Sequence, residues 1–463
     1  MSSNINNVEL SYDDLTPVYK LISVGDFKQA LSILDILSQK FSDNHNLYTI
    51  GGECYFNLHE YELAISCYEE SIRIKPNILH NYNSKASSLL SLHKYDEAIS
   101  CLKNVIEIRP DFDEAFFNLG IGAMHLRLFD LSMQSFDMAI QLKPNFAKYK
   151  FAKSTLLLLY GDFRNGWPLF ESRWEMDVLF SPKLTTTRPN WSGATNSKLL
   201  VWPEQGIGDQ ILYSSLLPDL NRKCSDLIVL LDPRLINLFT RSMGDFCTFY
   251  PDNVKETELD YDEHIAMGSL CQYFRADEKD FESSQYGFLK DDVIKTANIK
   301  KDLLALAPLN NKLCGISWGS SSKRDGIHKT IPLKSFIQLL GLTGYTYVSL
   351  QYGDTTDEIK VVQDELGVDI ISYEKVDNFN DIDGLASLIQ ACDVVISVDN
   401  VTCQIAGALG KEIHILLNYS SWWGWMANRT DSPWYHSVKI YRQDVDKTWS
   451  NLSQNLIKNL NNY

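Results

Sequence analysis

Pro76, Pro110 and Pro144 stand 34 residues apart, and each closes a similar phrase: SIRIKP, VIEIRP and AIQLKP. Fifteen residues before each proline comes an aromatic residue (Tyr61, Tyr95, Phe129), and three residues after that a small one (Ala64, Ala98, Ser132). A further copy begins at Gly25-Asp26-Phe27 and a degenerate one at Gly161-Asp162-Phe163. A fixed period of this length constrains the fold strongly, because every copy must be the same supersecondary unit stacked on its neighbour. The unit reads as a helix–turn–helix. Small residues in its first helix (Gly52, Ala86, Gly120) and in its second let the pair approach closely. The aromatic residue is expected to plug the gap, and Pro stops the second helix at the repeat boundary. These residues are packing rather than chemistry. The array would offer a concave surface for a peptide or protein, or serve a purely architectural role.

The period resembles the tetratricopeptide repeat, over about residues 11–165. With 43 Lys and Arg against 59 Asp and Glu, the chain carries a net charge of −16, which gives no general field for a phosphate backbone or an anionic bilayer. Neither nucleic acid nor membrane is therefore an expected partner. Met1–Asp14 lacks the basic and apolar regions of a secretory signal, and no apolar run approaches the ~20 residues of a membrane span. Nine dispersed cysteines, odd in number and without a C-x-x-C pair, point to reduced thiols in a cytoplasmic protein rather than to a disulfide framework or a zinc site.

After Tyr160 the pattern changes. A connector is expected over 166–195, and then short apolar runs alternate with amphipathic segments. Strands are expected at Leu199–Trp202, Leu227–Leu231, Leu313–Trp318, Tyr345–Gln351, Val394–Val398 and Ile413–Leu417. Helices are expected at Asp209–Asn221, Pro233–Met243, Pro332–Leu340, Thr356–Leu366, Gly384–Cys392, Val401–Leu409 and Thr448–Asn461. Such alternation predicts doubly wound parallel sheets. The fold class is thus α plus α/β: a helical solenoid over 1–165, then two halves over 196–305 and 306–463 separated by a polar stretch near Thr296–Asn311.

Ligands of doubly wound sheets sit beyond the carboxyl ends of the strands, so the loops there are the candidates. The first is Trp202-Pro203-Glu204-Gln205-Gly206-Ile207-Gly208-Asp209. Gly206 and Gly208 allow a tight turn close to a ligand, although the third glycine of a dinucleotide fingerprint is absent; Asp209 taken alone reads as a helix N-cap. The second runs from Trp318 and Gly319 through Lys323, Arg324 and Lys329 to Thr330, a local anion site or an exposed cationic loop. The third, Asp399-Asn400-Val401-Thr402-Cys403-Gln404, enters a helix whose N-terminus suits a pyrophosphate, with Asp399 or Asn400 as its cap. The fourth holds Trp422, Trp423, Trp425, Trp434 and Tyr435, a core cluster, a stacking wall or an acceptor surface. His328 and His436 lie in these regions and read as ordinary surface or core histidines.

In this order behind the repeats, GDFRNGWPLFESRW, PEQGIGDQILY, ISWGSSSKRDGIHKTIPL, VSLQYGD, LIQACDVVISVDNVTCQIAGALGK and DSPWYHSVKIYRQ resemble the bacterial tetratricopeptide-repeat glycosyltransferases. The catalytic half of these proteins is similar to heptosyltransferases and distantly to O-linked N-acetylglucosamine transferases. The resemblance implies a GT-B pair of Rossmann-type domains that moves a sugar from a nucleotide diphosphate to a protein or glycan acceptor. It implies no metal ion and no cofactor beyond the nucleotide sugar. Asp209 falls on the general base and Lys329 on the phosphate-binding cation. Gln351 and the Asp399–Gln404 loop fall where nucleotide and diphosphate are held, with Asn400 and Gln404 standing where Thr and His are usual. A catalytically weakened scaffold or sugar-nucleotide sensor is the competing reading, and a hydrolase lacks any metal-ligand cluster.

Overall fold

A computed structural model describes residues 10–176, 181–194, 196–282, 286–321, 326–449, 456 and 460. The chain divides into two compact units, Met1–Leu156 and Leu157–Tyr463. Residues 157–165, read above with the repeats, thus fall in the second unit.

The first unit is built from antiparallel helix pairs: α1 (Tyr12–Ser23) with α2 (Phe27–Lys40), α3 (His45–Asn57) with α4 (Tyr61–Ile74), α5 (Leu79–Ser91) with α6 (Tyr95–Ile108), and α7 (Asp113–His125) with α8 (Phe129–Leu142), followed by the start of α9 (Ala147–Leu159). The helices α4, α6 and α8 stop two residues before Pro76, Pro110 and Pro144, as the missing N–H and the restricted preceding residue require. The period also appears in the backbone. Gly25, His59, His93, Arg127 and Gly161 are all left-handed (φ 79°, 63°, 59°, 57° and 84°), each just past a first-helix end.

One expectation is corrected. The rings that fill the gap between paired helices are those of Tyr68 and Phe136, not of Tyr61, Tyr95 and Phe129. A Cβ at Gly52 would lie 2.6 Å from the Tyr68 ring, and one at Gly120 would lie 2.6 Å from that of Phe136. Tyr61 and Tyr95 sit at the first turn of their helices and close the helix–helix corner instead, bonding His59 Nδ1 at 2.9 Å and His93 Nδ1 at 2.5 Å. Gly120→Ala is therefore expected to lose about 1–3 kcal/mol from overpacking, more than the ~1 kcal/mol that alanine gains in a helix. A helical melt of the full chain reads this; an unchanged or raised midpoint would contradict the close approach.

The second unit opens with α10 (Phe163–Phe170), whose first turn is capped by Asp162 accepting the Asn165 N–H at 3.3 Å. Four parallel strands follow, β1 (Lys198–Trp202), β2 (Asp226–Leu231), β3 (Thr248–Pro251) and β4 (Glu263–Ala266), in the order β3-β2-β1-β4. Between them lie α11 (Ile207–Ser214), α12 (Leu217–Asn221) and α13 (Ile236–Met243), with α14 (Cys271–Phe274) after β4. The single helix expected over 209–221 is two, because Pro218 at the start of α12 cannot continue α11.

The second sheet is also all parallel. It comprises β5 (Lys312–Ser317), β6 (Tyr345–Ser349), β7 (Ile370–Ser372), β8 (Val394–Val398), β9 (Ile413–Leu417) and β10 (Val438–Arg442), ordered β10-β9-β8-β5-β6-β7. Its helices are α15 (Val293–Leu306) before β5, then α16 (Gly326–Lys329), α17 (Leu333–Leu340), α18 (Thr356–Leu366), α19 (Ile382–Ala391) and α20 (Val401–Ala408). The order reverses between β5 and β8, so a crevice at their carboxyl ends is the topological switch point.

The stretch read as a polar separator near 296–311 is mostly helix. Asp292 caps α15 by accepting the Ile294 and Lys295 N–H groups at 3.0 Å, and Ile299 and Leu303 are its buried face. The helix expected over 448–461 lies largely outside the described residues. The two sheets are linked by α13 packing on α19, where Arg241 pairs with Asp383. All nine cysteines are free, and burial pushes the Cys54 thiol up to about 11 and Cys392 up to about 12. Among the described residues no helix is long and apolar enough to cross a membrane.

Candidate functional site

Three strand-end loops meet in the second unit. After β1 the chain turns through Gln205, left-handed at φ 62°, into α11. Gly206 is the N-cap of that helix, so Asp209 is its third residue and not the cap itself. Its carboxylate reaches back to the Gly206 N–H at 3.1 Å, the acidic half of a capping box. Gly208 faces α20 so closely that a Cβ there would lie 3.3 Å from Gln404 Cγ.

Asp209 keeps part of its surface open but is ringed by protein atoms. Burial pushes its carboxyl up to about 7; the Gly206 N–H and Lys329 pull down, while Glu204 and Asp399 add to the rise. A carboxylate poised near neutrality can take a proton from a hydroxyl at physiological pH. Lys329, at the end of α16, pairs with Asp399 at 2.7 Å, and the other Asp399 oxygen accepts the Trp425 Nε1–H at 2.8 Å. Asp209, Lys329 and Asp399 thus share one electrostatic neighbourhood.

The third loop is organised by Asn400, the cap of α20. Its Oδ1 accepts the Thr402 N–H at 3.0 Å, and its Nδ2 donates to Ser317 Oγ at 2.7 Å and to the Gly319 carbonyl at 2.9 Å. The ends of β8 and β5 are thereby tied together. Gln351 Oε1 accepts from Ser317 Oγ and from the Trp318 and Gly319 N–H groups at 3.0, 2.9 and 2.8 Å. Gln404 is buried, and its Oε1 accepts the Tyr435 hydroxyl at 2.7 Å. Trp318 lies in the core of the second sheet and donates to Glu358 at 2.6 Å. Asn400, Gln351 and Trp318, singled out as ligand contacts, spend their polar groups on the protein and shape the loops, and Gln404 spends its Oε1 in the same way. Toward an anion the loops present Lys329, which is held by Asp399 at 2.7 Å, and the first-turn N–H groups of half-buried Val401 and buried Cys403, which have no partner within the helix. The Thr402 hydroxyl is buried without a hydrogen-bond partner. Lys323 and Arg324 lie outside the described residues; His328 and His436 are exposed.

The tryptophan cluster is core: Trp423, Trp425 and Trp434 are buried, and Trp423 meets Trp167 edge-on at 5.3 Å. Sequence reading missed a buried ion pair behind Asp209. Glu204 accepts from Arg173 Nε and Nη2 at 2.7 and 2.8 Å, and Arg173 also donates to Ser269 Oγ at 2.8 Å. The two residues lie in the segments ESRW and PEQG, and nothing in the sequence pairs them. Tyr213, fully buried one turn past Asp209, has no hydrogen-bond partner for its hydroxyl.

Residues 23–105 match the family described as anaphase-promoting complex, cyclosome, subunit 3. Protein FlbA of Caulobacter vibrioides is 29% identical over 321 residues, which cover 65% of this chain and 53% of that one. The chain therefore spans about half the length of the curated relative it matches. Among solved structures, MamA from Desulfovibrio magneticus RS-1 is 17% identical, with a TM-score of 0.31, covering 35% of this chain and 90% of its own. YrrB, described as a TPR protein with an unusual peptide-binding site, is 18% identical with a TM-score of 0.30, covering 36% and 86%. The first unit is a tetratricopeptide-type repeat array. That rests on its helix pairs, its 34-residue period and the left-handed residue that recurs with the same period.

Proposed function

We propose that the second unit is a GT-B-type glycosyltransferase that uses a nucleotide-diphosphate sugar, with the repeat array receiving a protein or glycan acceptor. The observation that carries the reading is the meeting of three strand-end loops, which brings the Asp209 carboxylate beside the Lys329–Asp399 pair at the switch point of the second sheet. In this scheme Asp209 takes the proton of the acceptor hydroxyl as its oxygen attacks the anomeric carbon. The bond from that carbon to the diphosphate oxygen breaks, and Lys329 with the N-terminus of α20 receives the charge left behind. No metal ion is needed for that step, because the cation and the helix end supply the neutralising charge.

Lys329→Ala is expected to weaken donor binding by roughly 10–100-fold, the worth of a charged hydrogen bond. It also removes a cation that holds Asp209 down, so the acid limb of the pH–rate profile moves to higher pH. The direct test is nucleotide release from UDP-, GDP-, ADP- and CMP-sugars, with and without Asp209→Asn. Binding without turnover across the panel would favour a second reading, a repeat-bearing interaction scaffold that senses a sugar nucleotide. The observation on that side is that the Asn400 amide and the Gln404 Oε1 are engaged within the protein.

A further inference from the structure

The helix α15 (Val293–Leu306) is apolar on two sides. Ile299 and Leu303 form its buried face, and it packs on α19. At the margins of that face Lys295, Lys300 and Asp302 are paired with Asp381, Asp393 and Lys375 at 2.9, 2.9 and 2.8 Å. The opposite side faces outward. Val293, Ile294, Leu304 and Leu306 are 74%, 76%, 49% and 66% exposed, and Leu309, just past the helix, is 93% exposed. Asn298 and Lys301 are the polar residues among the exposed positions of α15; the others, Ala297 and Ala305 included, are apolar. An ordinary surface helix turns charged and polar groups outward, whereas a helix apolar on both sides is one that is covered on both. The outward side leaves roughly 600 Å² of apolar side chain open, the upper end of what a monomer exposes.

The order of residues along this side makes it self-complementary. Val293 and Ile294 stand at one end, with Leu304 and Ala305 at the other, about 15 Å along the helix. A two-fold axis through the middle of α15 sets Ile294 of one copy on Leu304 of the other and Val293 on Ala305, each contact being made twice. Lys301 then crosses Ala297 of the other copy, whose small side chain leaves room for the aliphatic stem while the ammonium reaches water. The exposed residues of α15 include no carboxylate, so little of the chain's net charge of −16 meets itself at the contact. Two such faces bury roughly 1,200 Å², the lower edge of the range for a specific interface.

We propose that α15 is the contact of a symmetric homodimer, packed antiparallel on α15 of a second copy of this chain. The inference stands apart from the sugar-transfer reading, since it is tested by mass alone. Analytical ultracentrifugation of the full chain at micromolar concentration is expected to give twice the 52.9 kDa of one chain. Ile294→Lys and Leu304→Glu should each raise the dimer dissociation constant by about 100-fold or more, because each places an unpaired charge in the apolar contact. Both positions are exposed in the single chain, so the thermal melt of its fold should not move. Mixing the two variants is the sharper test. The lysine of one copy then meets the glutamate of the other while the second contact stays Ile294 on Leu304, so the mixture should dimerise where neither variant does alone. A wild-type chain that stays monomeric, a dimer that neither variant weakens, or a mixture that fails to associate would each overturn the proposal. So would a monomer that sediments with anionic phospholipid vesicles and loses them on Ile294→Lys or Leu304→Glu, which would give the face to a lipid surface instead.

Discussion

Asp209→Asn is expected to lower turnover by roughly 10²–10⁴-fold, the usual worth of a positioned base, while leaving the chain more stable than the wild type above neutral pH. The two effects share one cause. Asn keeps an oxygen for the Gly206 N–H, so the capping box survives without the charge that burial penalises. The folded carboxyl is raised from an ordinary 3.8 to about 7, so the folded state holds a proton that the unfolded chain has released. The stability of that arrangement is fully present below about pH 4 and is lost as pH rises through about 7. The melting advantage of Asp209→Asn over the wild type should therefore be small near pH 4 and grow toward pH 8. The wild-type kcat/KM should climb through the same range as the base ionises. A melting difference that is flat with pH, or larger in acid, removes the buried-carboxylate account; an active Asn variant removes the base.

Arg173→Met is expected to cost about 3–5 kcal/mol, because it strands the Glu204 carboxylate in a site where the two side chains are 3% and 1% exposed. Glu204 would keep the Gly268 N–H at 2.7 Å but lose both guanidinium bonds. Adding Glu204→Gln removes the stranded charge, so the double variant should be more stable than Arg173→Met alone. All 10 tryptophans lie after residue 160, which makes their fluorescence a probe of the second unit and avoids treating a two-unit chain as one transition. A loss under about 1 kcal/mol for the single variant, or a double variant that sums the two losses, would show that the pair is not a coupled buried unit. The same experiment bears on the site. Glu204 helps raise Asp209, so Glu204→Gln should shift the acid limb of the pH–rate profile downward.

Local rules carried far in this chain. The prolines, the 34-residue period and the β1, β5, β8 and β9 runs are visible because each is set by residues close in sequence. The Asp209 loop was legible for the same reason: two glycines and an acid at a strand–helix junction. The missed elements lack such a local mark. The strand β3 is Thr-Phe-Tyr-Pro, half-exposed and on the edge of its sheet, where Pro is tolerated. The helix α15 buries only Ile299 and Leu303 among polar neighbours, so its pattern reads as a linker. The ring opposite Gly120 could not be told from sequence, since Phe129 and Phe136 lie on the same helix and only the crossing of α7 with α8 decides between them. Pairs such as Arg173–Glu204 and Gln404–Tyr435, each 31 residues apart, are products of tertiary packing. Polar residues at strand ends suit phosphates, so the sequence alone points the amides of Gln351, Asn400 and Gln404 toward a ligand. In the fold they satisfy buried backbone and hydroxyl groups first.

The most direct measurement is a crystal structure of the chain with a bound nucleoside diphosphate. The expected result is a diphosphate at the N-terminus of α20 beside Lys329, its terminal phosphate turned toward the Asp209 carboxylate with space for a sugar ring between them. A nucleotide bound away from those loops, or an Asp209 carboxylate directed away from the terminal phosphate, would contradict the assignment of this site to sugar transfer.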